Sequence, residues 1–385
     1  MNILSAVWAT GALFIGIIAI NFIIAFHELG HWLFCKLFGI RTPSFSIGFG
    51  PRLISKKIGS TLFAFSAIPF GGYVEIAGSE EIGQGDQLDA KANDKDSINH
   101  KPYWQKLCVM LGGIFFNCIL AFAIFVCLWQ TGIPKTTFFS TLTAPIIDSV
   151  QPGSPAELAG LSKGQRITKF NNQPINTIQE LANLIKENKN KKIAITKASL
   201  VQKCSIVGKC TEEEEIQTVE ITLDVHPENS SWGYLGAQYQ LPDSLKSNSF
   251  IDSLTKSWHM VSYIFKGTLQ GLFHSISKKS TAGMGGPLRL FSDATEQIYR
   301  GFSHLLLLMA NISLGLAVIN LMPLPVFDGG QVVTFSIEAL IGKSLPEKAR
   351  YLIHLITALI LIAFLLYLSF KDSLHIFEKL KTYLQ

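Results

Sequence analysis

His27, Glu28 and His31 form a His-Glu-x-x-His pattern within FIIAFHELGHWLFCKLFGI, residues 22–40. On a helix, positions four apart share a face, so His27 and His31 aim both imidazoles at one point. Neutral imidazole is a good zinc ligand, and two on one face make half of a tetrahedral site. Glu28, one residue from His27 on the metal side, can take a proton from a water held there and later give it to a leaving amine. The chemistry would be metal-assisted hydrolysis. Yet residues 3–26 ahead of the pattern are uncharged and mostly aliphatic or aromatic. Three ionisable side chains in an apolar helix are costly unless they serve a site.

Zinc needs a third protein ligand and leaves its fourth position to water. The stretch NLMPLPVFDGG, residues 320–330, offers Asp328, the only acid between positions 302 and 336. Pro323 and Pro325 cannot continue a helix, and Gly329 and Gly330 let the backbone turn and come close to a site. An Asp on such a break can project inward. Read instead as the N-cap of a helix starting near Gln331, it would serve only local structure.

These residues need elements to hold them, and composition says what kind. Of 385 residues, 48% are hydrophobic and only 16% charged, against about 25% charged in a typical soluble chain. This points to a membrane protein. The net charge of +5 is small, and no basic run with interleaved aromatics supports nucleic-acid binding. Four apolar runs, at 3–26, 107–129, 302–321 and 351–370, each reach the ~20 residues of a spanning helix. The first lacks the basic flank and cleavage site of a removable signal peptide. Lys36, Arg41, Arg52, Lys56, Lys57, Lys91, Lys95, Lys101 and Lys106 all lie between the first two spans. By the positive-inside rule that segment is cytoplasmic. Both termini and the insert at about 132–301 are then expected outside.

The cytoplasmic segment PSFSIGFGPRLISKKIGSTLFAFSAIPFGGYVEIAG alternates apolar and small residues with Gly at turns. It reads as short strands, including a hairpin, held against or within the membrane. Residues 80–99 are polar and read as flexible. Residues 250–300 carry apolar residues at helical spacing, which fits helices on a membrane surface, and GMGGPLRLF (283–291) interrupts the pattern. Within the insert, a strand leads to Pro-Gly-Ser-Pro, a short helix at 156–159, an Asn171-Asn172 turn and a helix capped by Thr177 with Glu180 in a capping-box pattern. Cys204 and Cys210 lie close together in a polar context, where a disulfide could pin a hairpin in an oxidising compartment. Cys35, Cys108, Cys118 and Cys127 lie in apolar runs and read as core or lipid-facing residues, free Cys behaving as a small hydrophobe.

The insert's succession resembles a PDZ domain of the bacterial, circularly permuted type, a module that binds extended peptides at a sheet edge. HELGH at the end of a first span, Asn-x-x-Pro-x-Pro-x-x-Asp-Gly in a later one and a PDZ between them resemble the site-2 protease family of intramembrane zinc metalloproteases. FSIGFGP, IPFGGYVEIAG, SINHKPYWQKLCVMLGGIFFN and GMGGPLRLF are similar to segments of its bacterial, regulator-of-sigma-E protease branch. This chain departs from that branch in Gly112-Gly113, where Pro usually follows Gly, in Phe327 for Leu, and in a single PDZ.

The resemblance implies a mainly α-helical polytopic protein of four spans with membrane-associated β segments and one inserted extracytoplasmic PDZ domain. The implied division is 1–131 and 301–385 for the membrane halves, 142–240 for the PDZ domain and 250–300 for surface helices. It implies Zn2+ on His27, His31 and Asp328, Glu28 as acid/base, and Asn320 helping to hold substrate. Pro323, Pro325 and the β segment at Gly48, Phe49 and Gly50 are further expected substrate contacts. Expected partners are the lipid bilayer, transmembrane substrates already trimmed outside, and a peptide in the PDZ groove; no nucleic acid is expected. The expected location is the inner membrane, with both termini and the PDZ domain in the periplasm. Two other readings stay open: a heat-shock-type membrane zinc protease taking Glu338 as third ligand, and a non-enzymatic PDZ receptor.

Overall fold

The computed structural model describes residues 3–79, 95–134, 143–204, 210–226, 229–240, 244–247, 249–277, 286–343 and 345–384. It divides into two compact units. One comprises residues 1–132 with 246–385, the other residues 133–245.

The first unit is helical. α1 runs unbroken over Ile3–Leu37, so the His-Glu-x-x-His residues sit inside the first helix rather than just past its apolar run. A continuous helix is what the sequence allows, because Trp32, Leu33 and Phe34 carry the apolar pattern beyond His31. Two strands follow, β1 (Ser44–Ile58) and β2 (Thr61–Val74). α2 (Tyr103–Thr131) is the second span and ends at Gly132, whose φ of 121° only glycine adopts readily.

The chain returns to this unit through α5 (Phe250–Ser277) and α6 (Pro287–Arg300). Of the interrupting stretch at 283–291, residues 283–285 lie outside the described residues, and the helix resumes at Pro287. α7 (Phe302–Asn320), α8 (Asp328–Ile341) and α9 (Glu347–Leu384) complete the unit. Parts of α1, α2, α7 and α9 are long and apolar enough to cross a membrane, by length and composition: Phe14–Leu37, Tyr103–Thr131, Phe302–Asn320 and Lys348–Leu374.

α2 is the hub of this unit, packing against α1, α5, α7 and α8. α5 uses Ser253, Ser257, Met260 and Val261 as its buried face, while Ile251, Trp258 and Phe273 stay exposed. Its large apolar residues thus point away from its neighbours, which suits a lipid-facing surface.

The β segment is more folded than a simple hairpin. Residues 54–58 pair antiparallel with 61–65, from Ile58↔Thr61 to Ile54↔Phe65. The same residues also face 44–47 with register rising together, Ser44↔Leu62 to Ile47↔Phe65, and 45–47 in turn face 72–74. β1 and β2 are therefore each bent back, giving four ribbons in the order 54–58, 61–65, 44–47 and 72–74. Gly48 and Gly50, at φ 86° and 83°, make the bend in β1.

The second unit contains β3 (Ile133–Pro134), β4 (Ile147–Val150), α3 (Pro155–Leu158), β5 (Arg166–Phe170) and β6 (Gln173–Pro174). α4 (Ile178–Glu187), β7 (Lys192–Cys204), β8 (Cys210–Thr222), β9 (Asp224–His226), β10 (Asn229–Tyr234), β11 (Ala237–Tyr239) and β12 (Ser244–Leu245) follow. Its main sheet has the order β6-β5-β7-β8. Asn171 and Asn172, at φ 46° and 66°, turn β5 into β6, the left-handed pair that a tight hairpin requires. Thr177 caps α4 by accepting the Glu180 N–H, and the Glu180 carboxylate accepts the Asn176 N–H. Leu181 and Ile185 of α4 join Ile167, Phe170, Ile193, Ile195 and Ile221 in one buried cluster. β3 and β12 pair, Leu245 with Ile133, so this unit begins and ends at one place.

Candidate metal centre

The histidine pair is held from behind by α2. His31 Nδ1 lies 2.8 Å from the Val109 carbonyl oxygen. A carbonyl only accepts, so Nδ1 carries the proton and Nε2 presents a lone pair. His27 Nδ1 lies 3.0 Å from the amide of Asn117, a residue fully buried in α2. With Asn117 Nδ2 turned to the ring, its Oδ1 is buried without a donor. Amide orientation is assigned from such partnerships. Turning the amide over gives Oδ1 to a protonated Nδ1 and leaves His27 Nε2 as a second lone pair.

Such close approach needs glycine. A Cβ on Gly113 would lie 2.4 Å from His31 Nε2 and 2.5 Å from His27 Cε1. One on Gly30 would lie 2.3 Å from the Gly112 carbonyl oxygen, and one on Gly112 would lie 2.7 Å from Phe34 Cδ2. The Gly112-Gly113 pair thus lets α1 and α2 touch at the backbone and leaves room for both imidazoles.

Asp328 arrives from the other half of the chain. α7 ends at Asn320, before Pro323 and Pro325, and residues 321–327 form a turn closed by Phe327 N–H to Leu324 O at 2.8 Å. A Cβ on Gly329 or Gly330 would fall within 2.3 Å of the Leu321 or Leu324 carbonyl oxygen, so both glycines are needed for the turn to close. Asp328 is the first residue of α8, and Phe327 occupies the cap position. The local-cap reading of Asp328 therefore gives way. Its carboxylate turns to the histidines instead, with Oδ2 3.2 Å from His27 Nε2 and Oδ1 3.4 Å from His31 Nε2.

The two Nε2 atoms are 3.2 Å apart. Two ligands at ~2.1 Å from a tetrahedral ion would be separated by about 3.4 Å, so the spacing fits zinc without rearrangement. Two lone pairs and a carboxylate aimed at one buried point also lack a positive partner, which a divalent cation supplies. Among the described residues, His27, His31 and Asp328 are the one group of this kind.

Glu28 faces the same cavity of about 500 Å³, and its Oε2 accepts the Val74 N–H at 3.1 Å. The last ribbon of the β segment therefore touches the acid/base candidate. Asn320 and Pro325 line the cavity, and so do Gly71, Gly72 and Val74. Asn320 Nδ2 lies 3.4 Å from His27 Nε2. Pro323, Gly48, Phe49 and Gly50 do not line it. Pro323 is exposed on the turn. Gly48–Gly50 form the bend in β1, one ribbon removed, where Phe49 stacks on Tyr73 with ring centroids 6.0 Å apart. The positive-φ glycines Gly48 and Gly50 make the bend of the sheet.

Glu338 is committed elsewhere. It ion-pairs with Arg350 and accepts the Leu345 N–H at 2.8 Å. Sequence reasoning missed the carbonyl of Val109, Asn117, Gly113, and the cavity-lining pair Gln331 and His354, whose side-chain nitrogens lie 3.0 Å apart. A polar Asn inside an apolar span was the available signal for the first group.

The model for "Peptidase family M50" matches residues 15–364. A Campylobacter jejuni protein is 27% identical over 92% of this chain and 91% of its own length, and one from Fusobacterium nucleatum is 28% identical over 94% and 99%. A Brucella suis protein is 27% identical, covering 90% of both. All three carry the name "Putative zinc metalloprotease".

Proposed function

The chain belongs to peptidase family M50, the site-2 protease family of zinc metalloproteases, and we propose that it hydrolyses peptide bonds within or beside the transmembrane segments of other membrane proteins. It is an integral membrane protein by its four apolar helices and its family, so lipid and membrane-protein substrates are its surroundings. The observation that carries the reading is the convergence of His27, His31 and Asp328, brought from opposite ends of the chain, with Glu28 in the same cavity.

His27, His31 and Asp328 would hold the zinc, which would supply Lewis-acid activation of water and of the scissile carbonyl. Glu28 accepts the proton released as water adds to the carbonyl carbon, and delivers it to the nitrogen as the C–N bond breaks. The Val74 N–H keeps the Glu28 carboxylate aimed into the cavity. Asn320 and Pro325 hold the substrate backbone. A helical substrate hides its carbonyls in its own hydrogen bonds, so it must unwind. The ribbon at Gly71–Val74 lies at the cavity and can take the unwound segment as an added strand.

The bilayer in question is the inner membrane, with the insert in the periplasm; the Lys and Arg clustered between the first two spans support this orientation. The insert reads as a PDZ module that admits substrates already trimmed outside, whether anti-sigma factors or signal-peptide remnants. Cys204 and Cys210 are backbone partners where β7 and β8 pair. Membrane proteomics tests the function. Cells carrying Glu28→Gln protein should accumulate transmembrane stubs that the active protein removes, and identical stub profiles would sink the proposal.

A further inference from the structure

The metal cavity has a wall that the mechanism leaves without a role. α9 contributes His354, Ala358 and Ile362 to it, and their four-residue spacing puts all three on one face of the helix. α9 is otherwise the least embedded span, with 11% of its most apolar window buried against 39–50% in the other three. His354 is the contrast: it is only 4% exposed, and its Nε2 lies 3.0 Å from Gln331 Nε2. Gln331, one turn after Asp328, also points its amide at the Pro325 carbonyl, 3.4 Å away. An imidazole in an apolar span is costly unless it faces a site, and this one faces the cavity that Glu28 shares.

A peptide that reaches Glu28 must occupy that cavity. Its walls include Gly71, Gly72 and Val74 of the β segment as well as the α9 face. Side chains alternate along an extended peptide, so every second residue can turn to α9. There it meets a helix surface with a small residue, Ala358, one turn from an imidazole on one side and one turn from Ile362 on the other. A methyl group leaves room that a larger residue would fill, and pockets read size by about 10–200-fold per methylene. Gln331 and His354 are already partnered with each other, and a substrate side chain that can hydrogen-bond joins that buried pair, whereas an apolar one only covers it.

We propose that this face of α9 is a specificity wall: Ala358 sets the size of the substrate side chain beside the scissile bond, and Gln331 with His354 receives a hydrogen-bonding side chain two positions away. The preferred substrate is then a transmembrane segment with a small residue at the cleavage point and, two positions away on the same face, a polar one such as Ser or Asn. The proposal deepens the intramembrane-protease reading and rests on it.

The test uses full-length protein in liposomes with transmembrane substrates differing only at positions flanking the cleaved bond. At one position, Ala should be cleaved at least tenfold faster than Phe by kcat/KM. Ala358→Gly should narrow that ratio and Ala358→Leu should widen it. Two positions away Asn should be favoured over Leu, and His354→Phe should abolish the preference. A second readout does not need turnover: benzoylphenylalanine placed at position 358 in Glu28→Gln protein should cross-link to substrate. Cleavage that proceeds with ratios unmoved by all three variants, or no cross-link at position 358, overturns the wall. Failure of the unaltered protein to cleave any substrate would instead strike the protease reading beneath it.

Discussion

The backbone of Gly113 lies against the imidazole of His31, so close that a Cβ there would stand 2.4 Å from Nε2. The position therefore belongs to the metal centre although glycine carries no ligand atom. Ala is a better helix former than Gly, so Gly113→Ala should leave α2 helical while driving the histidines off their common point. Elemental analysis is expected to give well under one zinc per chain, and a full complement would show that the ring has room to move.

Asn117 acts at one remove. Outer-shell partners of ligating histidines typically contribute about 10–100-fold in metal affinity. Asn117→Leu removes the acceptor for the His27 Nδ1 proton and should weaken zinc by that order in competition with a chelator. Asn117→Asp, which restores an acceptor, should recover affinity. If Leu binds zinc as tightly as Asn, His27 is fixed by other contacts.

Glu338 and Asp328 should separate cleanly. Glu338 and Arg350 form an ion pair whose side chains are each only 9% exposed, and breaking a buried pair costs about 3–5 kcal/mol. Glu338→Gln should therefore lower the unfolding temperature and keep zinc. Asp328→Asn should lose zinc with little change in fold. The opposite pattern would revive the heat-shock-type ligand set.

The insert can be removed at a natural seam. Ile133 and Leu245 are paired, so a short Gly/Ser linker can replace residues 133–245. A cut inside the unit, by contrast, would split β4 from β11 and β5 from β7. If the insert filters substrates by size, the shortened protein binds zinc and cleaves substrates that still carry an outer domain. Cleavage restricted to trimmed substrates, as in the intact protein, would end the filter idea.

The sequence was readable where chemistry or chain breaks leave a residue-type signature. His27, Glu28 and His31 announce themselves by spacing. Asp328 stands out as a lone acid after two prolines, and the spans appear as apolar runs. What it hid were relations between segments far apart in the chain. Gly113 looks like any glycine in a helix until α1 is laid across it. Gly48 and Gly50 bend β1 at positive φ, and Val74 of the ribbon paired with 44–47 carries the N–H that reaches Glu28, a relation no local pattern displays. His354 lies 323 residues beyond His31 on the chain, and only folding brings it to the same cavity.

The most direct measurement of the central claim pairs zinc content with cleavage for the intact protein and Glu28→Gln, both in liposomes with a transmembrane reporter. A carboxamide cannot accept the water proton, but it leaves His27, His31 and Asp328 untouched. The account predicts one zinc per chain in both proteins, and reporter cleavage only by the protein that keeps Glu28. Cleavage by the Glu28→Gln protein at the rate of the intact one would contradict it.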